Sequence, residues 1–132
     1  MSKHATATFE VKSWNEKPYN EIEGGPKLTR ASVTKSFHGD IEGHGAVEYL
    51  MMYRDNGTAS FVGLERVVGR IGDRSGTFVL QHVGTFESGA AKVIWEVVPG
   101  SGTGDLRGLR GAGGFASTQA QRYPIKLDYD FE

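Results

Sequence analysis

Alternation of apolar and polar residues with a period of two recurs along this chain, and no other feature restricts its fold as strongly. In the first stretch, Ala5, Ala7, Phe9 and Val11 share one parity while Thr6, Thr8, Glu10 and Lys12 take the other. Successive side chains of a strand point to opposite faces, so such a segment is a strand with one face buried. The period returns in LTRASVTKSFHG, where Ala31, Val33 and Phe37 oppose Arg30, Ser32, Thr34, Ser36 and His38, and again in KVIWEVV and IKLDYDF. A helical period fits none of these well. The pattern predicts strands over 5–14, 27–38, 41–54, 58–71, 75–87, 90–98, 111–117 and 123–131.

Between these runs lie Gly39-Asp40, Asp55-Asn56-Gly57, Gly72-Asp73 and Ser88-Gly89, residues suited to tight hairpins, so consecutive strands are expected to pair antiparallel. Gly43, Gly45, Gly63, Gly69, Gly76 and Gly84 fall inside predicted strands, where a missing Cβ allows a wall to bend. Closing the sheet also removes its two reactive edges. The expected fold is therefore all-β, a single antiparallel closed barrel of about eight strands spanning residues 1–132 as one domain, with a two-sheet sandwich as the other arrangement. Two connections depart from the meander. Residues 15–27 are charged, contain Pro18 and Pro26, and are expected to lie across one mouth; residues 99–114 are glycine-dense, with at most a helical turn near 105–109.

Composition narrows the function classes. A chain of 132 residues suits one domain with its own core. Its formal net charge of -1 gives no general attraction to nucleic acid or to an anionic membrane, so neither is expected as a partner. No apolar run approaches the ~20 residues needed to span a bilayer, and the first residues lack a signal-peptide core, which makes the cytoplasm the expected location. With no cysteine, disulfides, thiolate zinc sites and cysteine nucleophiles are unavailable. His4, His38, His44 and His82 show no metal-ligand spacing, and no metal is expected. The glycine loop lacks the Gly-Lys-Ser/Thr of a phosphate loop and carries Arg107 where a dinucleotide fingerprint requires glycine. No cofactor is expected, although Arg107 and Arg110 leave a weak anion-binding option, and no Gly-x-Ser-x-Gly elbow is present.

The segments GSGTGDLRGLRGAGGF, GGPKLTRASVTKSFHGDIEGHGAVEYLMMYRDNGTASFVGLERVVG and GTFVLQHVGTFE together resemble an uncharacterised bacterial domain family with an allene oxide cyclase-like β-barrel. The resemblance covers nearly the whole chain. Its set of motifs is Gly-Leu-Glu-Arg at 63–66, Gln-His at 81–82 and the glycine loop at 100–114. A related loop pattern occurs in allene oxide cyclases and in plant dirigent proteins. The resemblance implies an eight-stranded antiparallel barrel with a mostly apolar lumen, in a wider class that includes cyclases and isomerases of lipid, polyketide or phenolic substrates. It carries over no catalytic residue.

The candidate site lies in FVGLERVVGRIGDRSGTFVLQH, residues 61–82, where ionisable groups interrupt two apolar runs. Which of them share a face depends on the length of the turn around Gly72 to Arg74. A two-residue turn sets Glu65 and His82 on one face with Phe61, Val67, Phe78 and Leu80; a three-residue turn sets Gln81 beside Glu65. Likewise, a two-residue turn at Asn56-Gly57 adds Glu48, Leu50 and Met52 to that face, and a three-residue Asp-Asn-Gly turn adds Val47, Tyr49 and Met51. A lumen holding a carboxylate and an imidazole has the parts for proton exchange with a substrate near neutral pH. Glu65 and His82 are the candidate acid and base, with Arg30, Tyr49, Phe61, Phe78, Leu80 and Gln81 as candidate ligand contacts. The same pair also has a purely architectural reading, a hydrogen-bonded network that fixes strand register. Trp14, Trp95 and Phe115 are expected in wall or core. The readings are a module binding a small apolar ligand in the lumen, a cofactor-independent isomerase or cyclase, and a filled barrel acting through its surface; self-association stays open.

Overall fold

The computed structural model describes residues 3–117 and 123–132. Its eight strands are β1 (Lys3–Asn20), β2 (Lys27–Gly39), β3 (Ile41–Tyr53), β4 (Ala59–Ile71), β5 (Arg74–Glu87), β6 (Ala90–Val97), β7 (Leu109–Ser117) and β8 (Tyr123–Phe131). Each pairs antiparallel with the next, and β8 returns to β1, so the sheet closes into a barrel in chain order. The sandwich alternative is thereby excluded. The helical content among the described residues is one 3-10 turn, Gly104–Leu106.

The hairpin registers follow their turns. Ile71 pairs with Arg74 across a two-residue Gly72-Asp73 turn, and Gly72 takes the positive φ of 60° that such a turn requires. Tyr53 pairs with Ala59, and the Arg54 amide donates to the Thr58 carbonyl, which leaves the three-residue turn Asp55-Asn56-Gly57. These two turns set the inward parity of three strands: Val47, Tyr49 and Met51 on β3, Phe61, Glu65 and Val67 on β4, and Phe78, Leu80 and His82 on β5 are buried. Outward positions are not uniformly polar, since Leu50, Val62, Leu64, Val83 and Ile94 stand exposed.

The first connection differs from expectation. Asn15–Asn20 do not lie across a mouth; they extend β1, pairing with β2 from Asn15↔Ser32 to Asn20↔Leu28. Among the described residues, pairing of β1 with β8 runs from Lys3↔Tyr129 to Phe9↔Tyr123, and beyond it β1 is bonded to β2. An edge strand tolerates proline, which accounts for Pro18 within it. A bulge at Lys12, between Val11↔Lys35 and Ser13↔Thr34, then reverses the parity of the strand. Below the bulge the odd residues Ala5, Ala7 and Phe9 face the lumen; above it Trp14 does.

The barrel has two unlike ends. One is packed solid by Ile41, Ile71, Phe78, Trp95, Val97, Leu106, Leu109 and Leu127. Leu106 is supplied by the glycine-rich loop, which docks on β5: the Thr103 amide donates to the Thr77 carbonyl, and the two threonine hydroxyls are 2.7 Å apart. A Cβ at Gly76 would lie 1.9 Å from the Thr103 carbonyl oxygen, so glycine there is a condition of docking. The loop is thus a plug. Arg110 points out toward Glu132, 3.8 Å away on the surface. The second core cluster, around Ala31, Val33, Val47, Tyr49, Met51, Phe61 and Val93, surrounds an opening at the other end.

Candidate functional site

A cavity of about 290 Å³ enters the lumen at the open end. Its enclosed part is lined by Phe9, Lys35, Tyr49, Phe61 and Val93, its rim by Val11, Trp14 and Phe86, with Phe115 and Tyr123 closing the β7–β8 side. Apolar walls and one charged side chain are its whole character: among the described lining residues Lys35 alone is ionised at neutral pH.

Lys35 shares its parity with Ala31, Val33 and Phe37, so the alternation of β2 carries it inward, where its side chain is 2% exposed. A buried ammonium needs partners. Its Nζ donates to the Tyr49 hydroxyl at 3.1 Å and reaches Glu65 Oε1 at 3.5 Å. It also sits 4.4 Å above the ring of Phe9 and 5.5 Å from that of Phe115, within range of cation–π attraction. Glu65 Oε1 accepts a second hydrogen bond from His82 Nε2 at 2.8 Å, and His82 Nδ1 lies 3.5 Å from the Tyr49 hydroxyl.

The direction of this ring follows by elimination. A carboxylate only accepts, so His82 Nε2 carries the hydrogen. Nδ1 of a neutral imidazole then accepts, so Tyr49 donates to it. The Tyr49 oxygen is left to accept from Lys35, which only donates. Each protonation state is consistent with its surroundings. Burial is the largest influence on Lys35 and pushes it down, but the Glu65 carboxylate and Tyr49 together outweigh it and raise the ammonium above its ordinary value. Burial works against the Glu65 carboxylate too, and Lys35 with the His82 hydrogen bond overcomes it and holds Glu65 below the ordinary range. For His82, burial dominates and lowers the imidazole, so it is neutral at neutral pH. Burial likewise raises the Tyr49 phenol, keeping it protonated.

Space for the carboxylate comes from across the sheet. A Cβ on Gly45, diagonal to Glu65 on β3, would lie 2.1 Å from Glu65 Oε2 and 2.8 Å from the Phe37 ring, so glycine there gives the acid its room. Oε2 is fully enclosed and has no hydrogen-bond partner, which concentrates the load of solvating Glu65 on Oε1.

A second polar cluster lies at the mouth. Glu16 accepts from Thr29 Oγ1 at 2.6 Å, from the Tyr53 hydroxyl at 2.5 Å and, through its other oxygen, from Trp14 Nε1 at 2.9 Å. Burial opposes ionisation of Glu16, but these three donors prevail and lower it, while burial and the Glu16 bond push the Tyr53 phenol up to about 12. The indole so held stacks on Tyr49 with centroids 6.2 Å apart, and Trp14 as a whole is 50% exposed.

Glu65 and His82 do meet, as the two-residue turn requires, and Tyr49 joins them through the three-residue turn. Neither Glu65 nor His82 lines the cavity; they stand behind Lys35 and Tyr49. Tyr49 and Phe61 line it, whereas Phe78 and Leu80 belong to the packed end. Arg30 and Gln81 lie on the outer surface: Arg30 Nε donates to Glu48 Oε1 at 2.8 Å on the exposed face, so neither Arg30 nor Glu48 reaches the lumen. Trp95 is core, stacked edge-on to His82, but Trp14 and Phe115 are cavity walls. Lys35 is the residue that sequence reasoning passed over; its inward parity was the available signal.

A family model described as "Protein of unknown function (DUF3224)" matches residues 5–129. The chain is also similar to a solved crystal structure from Shewanella oneidensis MR-1, a protein of unknown function from the DUF3224 family: 32% identity, TM-score 0.82, covering 100% of this chain and 99% of that one. None of the curated proteins matches.

Proposed function

The chain belongs to the DUF3224 family, and from its lumen we propose that it binds a small, mostly apolar molecule inside the barrel. The observation that carries this reading is the contrast within a single lumen: one end is filled by its own side chains, while the other keeps a cavity of about 290 Å³ walled by aromatic and aliphatic residues. Eight-stranded barrels have room for one small ligand when side chains do not fill them. Apolar pockets with a few placed polar groups are the usual form of small-molecule sites. An allene oxide cyclase-like character is supported by the same closed eight-stranded architecture with a lumenal cavity.

Binding is favoured over direct Glu/His chemistry because an isomerase or cyclase needs its base within reach of the substrate. Here the imidazole and the carboxylate are screened from the cavity by Lys35 and Tyr49. The test is a calorimetric titration with 2-ethylnaphthalene against the parent and Val93→Phe, which fills the cavity from its wall. The parent is expected to bind and the variant to bind at least about tenfold more weakly, since removing the space removes the buried apolar area. Equal binding by both would place the probe elsewhere and sink the proposal.

A further inference from the structure

Resting on that reading of the lumen, we propose that the cavity selects neutral apolar molecules that carry a carbonyl oxygen at one end, held by the Lys35 ammonium. The argument begins from the three hydrogens of Lys35 Nζ. One goes to Tyr49 and one toward Glu65; among the described residues no acceptor atom takes the third, which is left among the rings of Phe9 and Phe115 that wall the cavity. An ammonium has no acceptor capacity, so the matching ligand atom accepts.

Charge then separates the acceptors. Lys35 is already balanced by Glu65 at 3.5 Å, so the enclosed site has no net charge to offer. A carboxylate entering it would be a buried charge without a compensating partner and would face Glu65 as a like charge. A neutral oxygen carries no such penalty. Hydrogen-bond accounting separates the neutral oxygens in turn. An alcohol accepting from Lys35 would bring its own hydrogen, and the enclosed lining has no free acceptor for it. The Tyr49 oxygen already receives Lys35, the Trp14 indole can only donate, the Tyr53 hydroxyl is held at the mouth by Glu16, and the unpartnered Glu65 Oε2 does not line the cavity. Tyr123, another lining phenol, packs beside Phe9 and is half-buried, so part of it is open to solvent. A ketone, aldehyde or enone oxygen accepts without donating, and its polar bond would be drawn toward the ammonium in a low-dielectric wall.

Three probes of one shape decide it: 2-acetylnaphthalene, 2-ethylnaphthalene and 2-naphthoate, titrated calorimetrically into the parent and into Lys35→Met/Glu65→Gln, which removes both charges together. The ketone is expected to bind the parent about tenfold or more tighter than the hydrocarbon, the scale of a hydrogen bond to a charged donor. That preference is expected to fall below about threefold in the double variant, and the bound ketone's carbonyl stretch to move to lower wavenumber in the parent only. If the hydrocarbon binds as tightly as the ketone, the selection is refuted while the lumen reading stands. Tighter binding of naphthoate than of the ketone overturns the neutral-ligand argument. If none of the three binds, the lumen reading itself fails and this inference with it. Should the double variant not fold, the parent's ketone preference and carbonyl shift decide alone.

Discussion

The two ends of the barrel are built from the same alternating strands and differ in what caps them. At the packed end the glycine-rich loop inserts Leu106 and seals the lumen; at the other, β1 runs on along β2 and a rim of Val11, Trp14 and Phe86 stands around a cavity. Between them lies the ring of Lys35, Tyr49, His82 and Glu65. The comparison teaches that an inward-facing position is not a functional one. Phe78 and Leu80 face inward as surely as Phe61 does, yet only Phe61 meets open space.

The largest expected effect comes from breaking the boundary between the two halves. Glu65→Gln leaves Lys35 buried without a counter-ion, and unfolding by urea is expected to show a loss of about 3–5 kcal/mol. Lys35→Met/Glu65→Gln is expected to lose markedly less, because no unpaired charge remains. Equal losses would mean that packing, not charge, governs the ring.

The same ring sets a pH profile. His82 and Glu65 titrate below their ordinary values when folded, so on acidification the unfolded chain takes up protons that the folded chain refuses. Stability is expected to fall below about pH 6.5 as unfolded His82 protonates, then further below the ordinary carboxylate value, the contribution of each being lost as pH reaches its folded value. Lys35 and Tyr49 titrate above their ordinary values, so their contributions are present below about pH 10 and lost as pH rises through the folded values. Urea midpoints across pH should show a plateau from about 7 to 10; a midpoint rising steadily below pH 6 would contradict the neutral imidazole.

Truncation sharpens the contrast of the two ends. Leu106→Ala in the packed end is expected to cost about 2–5 kcal/mol. Met51→Ala, beside a cavity that already exists, is expected to cost less than about 2 kcal/mol, since fewer neighbours lose contacts. Smallest is Tyr53→Phe at the mouth: about 1 kcal/mol or less in stability, read instead as greater acrylamide quenching of Trp14 once Glu16 loses one of its donors.

Much of this architecture was legible because its signals are local. The period of two and the turn residues identified all eight strands. In β4 the outward Val62, Leu64 and Val68 blur the alternation, and there the Gly72-Asp73 turn, not hydropathy, decided that Glu65 faces His82. What stayed hidden depends on partners distant in sequence. Asn15–Asn20 read as a loop because its burial is slight and Pro18 is a strand breaker except at an edge. Lys35 sits on the inward parity, but lysine is an interior residue only when paired, and its partners are 14 and 30 residues away. That Glu65 and His82 stand behind the lumen wall followed only from the three-dimensional order of side chains.

The bulge at Lys12 gives one backbone position authority over the doorway. Were Lys12 instead taken into the ladder opposite Thr34, the lower parity would run on, turning Ser13 and Asn15 inward and sending Trp14 and Glu16 out to solvent. A mouth framed by indole would become one framed by hydroxyl and amide. Whether that one residue is looped out or paired is thus a dial on the polarity of the doorway, one that can turn without any change in the side chains of the lumen itself.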